Sequence, residues 1–135
     1  KAGWNDTYML AANGKYLARN NGVPPMNNWL FWDADKLRER VVKKKKTEEG
    51  SIAKYDGTTY PTDIDGRVIS VADLFGDWRE EIITSVPGEI RIFTTNINAR
   101  DRRVTLMQDP VYRLDVAHGS MGYIQSPVTS YYLGE

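Results

Sequence analysis

The chain has 135 residues, 18 Lys+Arg against 18 Asp+Glu, no cysteine and one histidine, His118. That length makes one domain the default, and with no excess of positive charge to form a face, no nucleic-acid partner is expected. Without thiols there are no disulfides and no thiolate sites, and one histidine excludes a His-rich zinc site, so any metal would have to be held mainly by oxygen, as calcium or magnesium is.

No apolar run approaches the ~20 residues needed to span a bilayer, so no membrane partner is expected. The start, Lys1-Ala2-Gly3-Trp4, reads like the interior of a longer protein, so the lack of a signal or targeting motif within these residues says nothing about secretion. The basic run Lys43–Lys46 is offset at once by Glu48 and Glu49 and reads as a solvated helix end.

The first predicted strand is 15–19, after the turn Ala12-Asn13-Gly14. Residues 22–28, with Pro24-Pro25, read as a loop, because paired prolines stop both helix and ladder. Trp29-Leu30-Phe31-Trp32 reads as a short buried strand ending at Asp33. A helix is expected over 34–43. Asp33 would cap it, Ala34, Leu37 and Val41 share a face, and the lysines fall at its carbonyl end. Strands follow at 51–55, before the Asp56-Gly57 turn, and at 67–71. Residues 81–85 and 89–94 flank Pro87-Gly88 and predict a hairpin with Ile82, Ile90 and Ile92 buried. Further strands are expected at 103–107 and 112–116, flanking Asp109-Pro110, and at 130–133. The pattern predicts an all-β, mainly antiparallel fold with one short helix. Regular strand spacing suits a sandwich, a barrel or propeller blades, although no clean internal repeat is visible.

Between two of these strands lies Ala72-Asp73-Leu74-Phe75-Gly76-Asp77-Trp78-Arg79-Glu80-Glu81. Asp73, Asp77 and Glu81 recur every four residues, while Gly76 and the following Ile82-Ile83 point to a tight loop feeding a strand. Loops of the type Asp-x-Asn-Gly-Asp-Gly-x-x-Glu wrap oxygen ligands round calcium, which makes these three acids the candidate metal ligands. Phe75 and Trp78 stand where such a loop carries ligands. The alternative is that Asp73 and Asp77 satisfy backbone N–H groups of the turn.

Several segments in order resemble the rhamnogalacturonan lyases of polysaccharide lyase family eleven. Trp29–Glu39 resembles the family's Trp-Asp-Gly-Asp-Leu-Leu-Arg-Glu segment, and Ala72–Glu81 is similar to its signature. Arg91–Thr95, Thr105–Leu114 and Gly122-Tyr123-Ile124-Gln125-Ser126-Pro127 match its later strand and C-terminal end. The resemblance implies the C-terminal fragment of an eight-bladed β-propeller, here one domain over 1–135 comprising about two to three blades. It implies a secreted, extracellular or periplasmic, calcium-dependent enzyme that cleaves the rhamnose–galacturonate bond of pectin by β-elimination, with a pectin-type polysaccharide as partner.

Such a reaction needs the uronate carboxylate neutralised, a base for the C5 proton, and an acid or water for the leaving oxygen. The resemblance makes Tyr123 a sugar-binding candidate, since a tyrosine face stacks on a pyranose and its hydroxyl hydrogen-bonds. The family's Asn-Gly-Thr-Lys substrate segment is here Thr62-Asp63-Ile64-Asp65-Gly66-Arg67, which leaves Arg67 as the second, cationic contact. Trp78, Arg79 and Glu80 read as structure, with Arg79 paired to Asp77 or Glu80. His118 reads as a structural residue, and no catalytic base or acid is assigned. The departure at 62–67 keeps open a non-catalytic carbohydrate-binding or structural β-module. Two blades alone would expose an apolar flank, and self-association through it is expected.

Overall fold

The computed structural model describes residues 8–11, 13–19, 28–43, 50–123 and 125–133. The expected loop 22–28 (apart from Asn28) and the lysines after Lys43 lie outside these. Strands β1 (Tyr8–Leu10) and β2 (Tyr16–Arg19) form an antiparallel hairpin. Four consecutive strands then make one antiparallel sheet in the order β3-β4-β5-β6: β3 (Trp29–Leu30), β4 (Glu39–Lys43), β5 (Gly50–Ala53) and β6 (Thr59–Ile64). The next three, β7 (Arg67–Ala72), β8 (Glu81–Val86) and β9 (Glu89–Phe93), make a second, in the order β7-β8-β9. A 3-10 turn at Leu106–Gln108 leads into the helix α1, Pro110–Ser120, which packs on β7. Mainly antiparallel sheet with one helix is therefore the observed class.

The helix expected over 34–43 does not form. Residues 33–37 are bends, and Glu39–Lys43 is the strand β4. Asp33 Oδ1 accepts from the N–H of Asp35 and Asp35 Oδ1 from that of Leu37, both at 2.8 Å. These local turns offer the backbone donors an alternative to a helical ladder. Leu37 is exposed, so the apolar face drawn for the helix does not exist.

Among the described residues the one α-helix lies where a strand, 112–116, was expected. Asp109 caps it, with Oδ1 accepting from Val111 N–H at 3.0 Å, and Pro110 occupies the first turn, where its missing N–H costs nothing. Tyr112, Val116 and Gly119 face inward at helical spacing while Leu114 is exposed. No strand forms over 103–107, where irregular backbone runs into the 3-10 turn at Leu106, or over 130–133, although Leu133 is buried.

The 81–94 hairpin forms, but only Ile82 of its three chosen isoleucines is buried. Ile90 is 70 % exposed and Ile92 52 %. The two-residue turn at Pro87-Gly88 pairs Val86 with Glu89, which sets Ile82 opposite Phe93 and Ile83 opposite Ile92. Successive side chains alternate faces, so Ile82 and Phe93 share the core face and Ile90 and Ile92 the other. Gly66, at φ +76°, makes the β6–β7 turn, where a Cβ would lie 2.7 Å from Ser85 O.

The sheets close over Leu30, Trp32, Val41, Ile52, Ile64, Val68, Val71 and Ile82. A second cluster of Phe31, Trp78, Leu106, Tyr112 and Leu133 seats α1 and the C-terminal segment.

Candidate functional site

Two acidic loops, one in each sheet, share a single construction. In the first, between β3 and β4, Glu39 Oε2 accepts from the N–H groups of Trp32 at 3.0 Å and Asp33 at 3.4 Å. In the second, between β7 and β8, Glu81 Oε2 accepts from Leu74 at 2.9 Å and Phe75 at 3.3 Å. Asp35 bonds the N–H of Leu37, and Asp77 that of Arg79. Every equivalent pair is 42 residues apart. The repeat escaped the sequence reading because its constants are two acids and a hydrogen-bond scheme: Ala34, Lys36 and Leu37 face Gly76, Trp78 and Arg79.

The third acid differs between the loops. In the second loop it is Asp73, buried, whose Oδ1 accepts from Gly76 N–H at 2.8 Å. Its Oδ2 accepts from Trp78 N–H at 3.2 Å, and from Thr105 Oγ1 and Leu106 N–H at 2.8 Å. These bonds hold Trp78 in the left-handed region, φ 70°, with its ring buried. Asp77 pairs with Arg79, as one of the sequence alternatives had it. Glu81 Oε1 accepts from Thr94 Oγ1 at 3.0 Å. Thus the acids predicted to bind metal lie on one loop with their carboxylates bonded to protein donors. Burial nonetheless pushes the Glu81 carboxyl above its ordinary range, against the bonds from Leu74, Thr94 and Phe75.

In the first loop the sequence reading missed a closer grouping. Asp33, Asp35 and Glu39 bring one carboxylate oxygen each within 4.8 Å of one another. Their spacing was hidden by the helix expected there. Hard oxygen donors of this kind suit calcium, and Glu39 Oε1 is buried without a hydrogen-bond donor. The residues therefore fit a hard cation, but the Lys54 ammonium already stands among them. Its Nζ is 2.7 Å from Asp33 Oδ2, hydrogen-bonded to Asp35 Oδ2, and 3.6 Å from Glu39 Oε1. Tyr60 donates to Asp33 Oδ2 at 2.5 Å.

These contacts set the ionisation of the cluster. Burial pushes the Glu39 carboxyl up to about 7, against its backbone bonds. Asp33 is also desolvated, yet bonds from Lys54, Tyr60 and the Asp35 N–H hold its carboxyl below the ordinary value. Burial, with the bond to Asp33, pushes Tyr60 up to about 12. Lys54 is raised by Asp33 and Asp35, which outweigh its burial. An open cleft of about 480 Å³ borders the cluster, lined by Trp32, Tyr60, Thr62 and residues 94–97.

Tyr123 and Arg67 lie elsewhere. Tyr123 is 67 % exposed, and its hydroxyl accepts from Gln125 Nε2 at 3.0 Å. Arg67 is exposed at the start of β7. The Tyr112 hydroxyl meets the N–H of Asp73, beyond the far end of β7, while Gly119 lies beside Ser70. Helix α1 therefore runs antiparallel to β7, and its C-terminal end points towards Arg67. His118 is exposed on α1.

The chain belongs to the rhamnogalacturonan lyase family 11: the model of that family's C-terminal domain matches residues 1–135. It is 36 % identical to the rhamnogalacturonan endolyase YesW of Bacillus subtilis over 149 aligned positions, covering 98 % of this chain and 23 % of YesW. To the rhamnogalacturonan exolyase YesX of the same organism it is 37 % identical over 122 positions, covering 78 % and 20 %. The crystal structure of YesW superposes with a TM-score of 0.72 at 33 % identity, over 94 % of this chain and 23 % of that one. The chain thus spans about a quarter of the length of these relatives.

Proposed function

We propose that the chain is the C-terminal part of a larger, secreted pectin lyase, extracellular or periplasmic, that cleaves rhamnose–galacturonate bonds by calcium-dependent β-elimination. The observation that carries this is the family match over all 135 residues, and Tyr123 itself is exposed. The two meander sheets with equivalent loops support a reading as two propeller blades, with the β1–β2 hairpin as part of a third. Tyr123 would bind a sugar ring and Arg67 a uronate carboxylate, whose neutralisation acidifies the C5 proton. Calcium, when bound, supplies further neutralising charge. Within this chain Asp33, Asp35 and Glu39 would hold such an ion better than Asp73, Asp77 and Glu81, but only once the Lys54 ammonium among them is displaced, so the calcium of the reaction would be held mainly by the rest of the longer protein. The exposed Ile90 and Ile92 would pack against a further blade, or a second copy when that blade is missing.

The second reading is a non-catalytic carbohydrate-binding module, favoured by the loss of the Asn-Gly-Thr-Lys pattern at 62–67. The test measures unsaturated uronate absorbance on rhamnogalacturonan for the longer protein, its Tyr123→Ala and Arg67→Ala variants, and the 135-residue chain. Tyr123→Ala should lose about tenfold or more in affinity, ~1.4 kcal/mol, with no change in Tm. The short chain should show no turnover, because propeller sites draw residues from several blades. Parental turnover by the short chain would sink the fragment reading. Sugar binding without turnover by the longer protein would establish the second.

A further inference from the structure

We propose that Lys54 is the resident cation of the Asp33–Asp35–Glu39 cluster, and that a divalent metal ion enters this loop only by displacing the Lys54 ammonium. The first support is position. Nζ lies 2.7 Å from Asp33 Oδ2 and 3.6 Å from Glu39 Oε1, and it hydrogen-bonds Asp35 Oδ2. Calcium binds oxygen at about 2.3–2.6 Å, so an ion ligated by these same oxygens would need the space that Nζ fills.

The second support is Glu39 Oε1. The side chain is completely buried, and this oxygen has no hydrogen-bond donor, so Lys54 is the cation it faces. Removing the cationic partner of a buried carboxylate leaves an uncompensated buried charge, so this oxygen needs a cation in the place that Lys54 takes. The third is how Lys54 is held. Its N–H donates to Thr58 O at 2.8 Å and its carbonyl accepts from Gly57 N–H at 3.1 Å. The turn after β5 thereby fixes the start of the stem.

The second loop gives an internal comparison. Register places Thr94 beside Glu81 as Lys54 is placed beside Glu39, one step beyond the pairs Ile82↔Phe93 and Arg40↔Ala53. Thr94 donates to Glu81 Oε1, and Arg79 supplies the charge on Asp77. Each loop thus takes its cation from its own chain, at a different position.

The inference stands apart from the lyase reading, because its test reads metal binding and stability without activity. Calcium titration calorimetry and thermal unfolding, in EDTA and in excess calcium, are run on the wild type, Lys54→Met, and Lys54→Met with Asp35→Asn. The wild type should take up calcium weakly or not at all, with Tm unchanged. Lys54→Met should melt lower in EDTA and recover by on the order of 10 °C at a hundredfold excess of calcium over Kd. Adding Asp35→Asn should remove that recovery. Wild-type affinity equal to that of Lys54→Met, or a folded Lys54→Met that binds no calcium, would overturn the proposal. Should Lys54→Met fail to fold, the Nζ signal of Lys54 in 15N-lysine-labelled wild type decides. A slowly exchanging ammonium that stays unmoved while no calcium binds, or shifts only as calcium binds, supports the proposal. A freely exchanging one, or one unmoved while calcium binds this cluster, overturns it.

Discussion

Replacing Tyr112 with phenylalanine tests how the helix is locked to the sheets. The Tyr112 hydroxyl donates to Glu80 Oε1 at 2.7 Å and accepts from the N–H of Asp73 at 2.9 Å. Glu80 Oε2 in turn accepts from Phe31 N–H at 2.8 Å, and Glu80 N–H donates to Phe31 O at 2.7 Å. Arg38 lies 3.9 Å from Glu80 Oε1 with its guanidinium over the Phe31 ring. One hydroxyl therefore joins α1, the second acidic loop and the strand end before the first. Tyr112 and Glu80 are both fully buried, so phenylalanine preserves the packing but leaves a carboxylate oxygen and a backbone N–H short of a partner. A hydrogen bond to a charged group contributes about 1.5–3 kcal/mol, and an orphaned buried donor costs about 1–3. The expected loss is about 3–5 kcal/mol, read from urea unfolding followed by tryptophan fluorescence, with the m-value unchanged. In a Glu80→Gln background the same change should cost less, because the two groups act as a unit. A loss under about 1 kcal/mol, or strict additivity with Glu80→Gln, would refute the lock.

Three further outcomes follow from the packing and the charges. Gly66→Ala combines a positive φ with a contact on Ser85 O and should destabilise by about 2 kcal/mol or more; wild-type stability in urea would show that the turn relaxes freely. Ile82→Ala should cost about 2–5 kcal/mol and Ile92→Ala less than about 1, and equal losses would contradict their placement on opposite faces. Burial raises Glu39 to about 7 from an ordinary 4.5, so the folded state binds the extra proton, and its contribution to stability falls as pH rises between those values. Glu80 and Glu81 are raised in the same direction, so Glu39→Gln should lessen the slope of Tm against pH over that window without abolishing it; an unaltered slope would exclude Glu39 as a source.

The mainly antiparallel class and the 81–94 hairpin were legible in the residues, because turn residues and alternation act over a few positions, and the family was legible in the order of its matching segments. The hairpin even carried its own facing: a two-residue turn after Val86 sets Ile82 against Phe93, and so turns Ile90 and Ile92 away from the core. Local patterns failed where distant groups competed for the backbone. Asp33, Asp35 and Val41 carry a helical signature, but Glu39 folds back on Trp32 N–H and β5 pairs with β4, which together outweigh propensity. Tyr112, Leu114 and Val116 alternate like a strand, but Asp109 and Pro110 start a helix whose first turn is anchored by Glu80, 32 residues away. Only the tertiary structure could bring Lys54 to Asp33, Asp35 and Glu39, since strand pairing, and no spacing along the chain, sets an ammonium among carboxylates 15 to 21 residues distant.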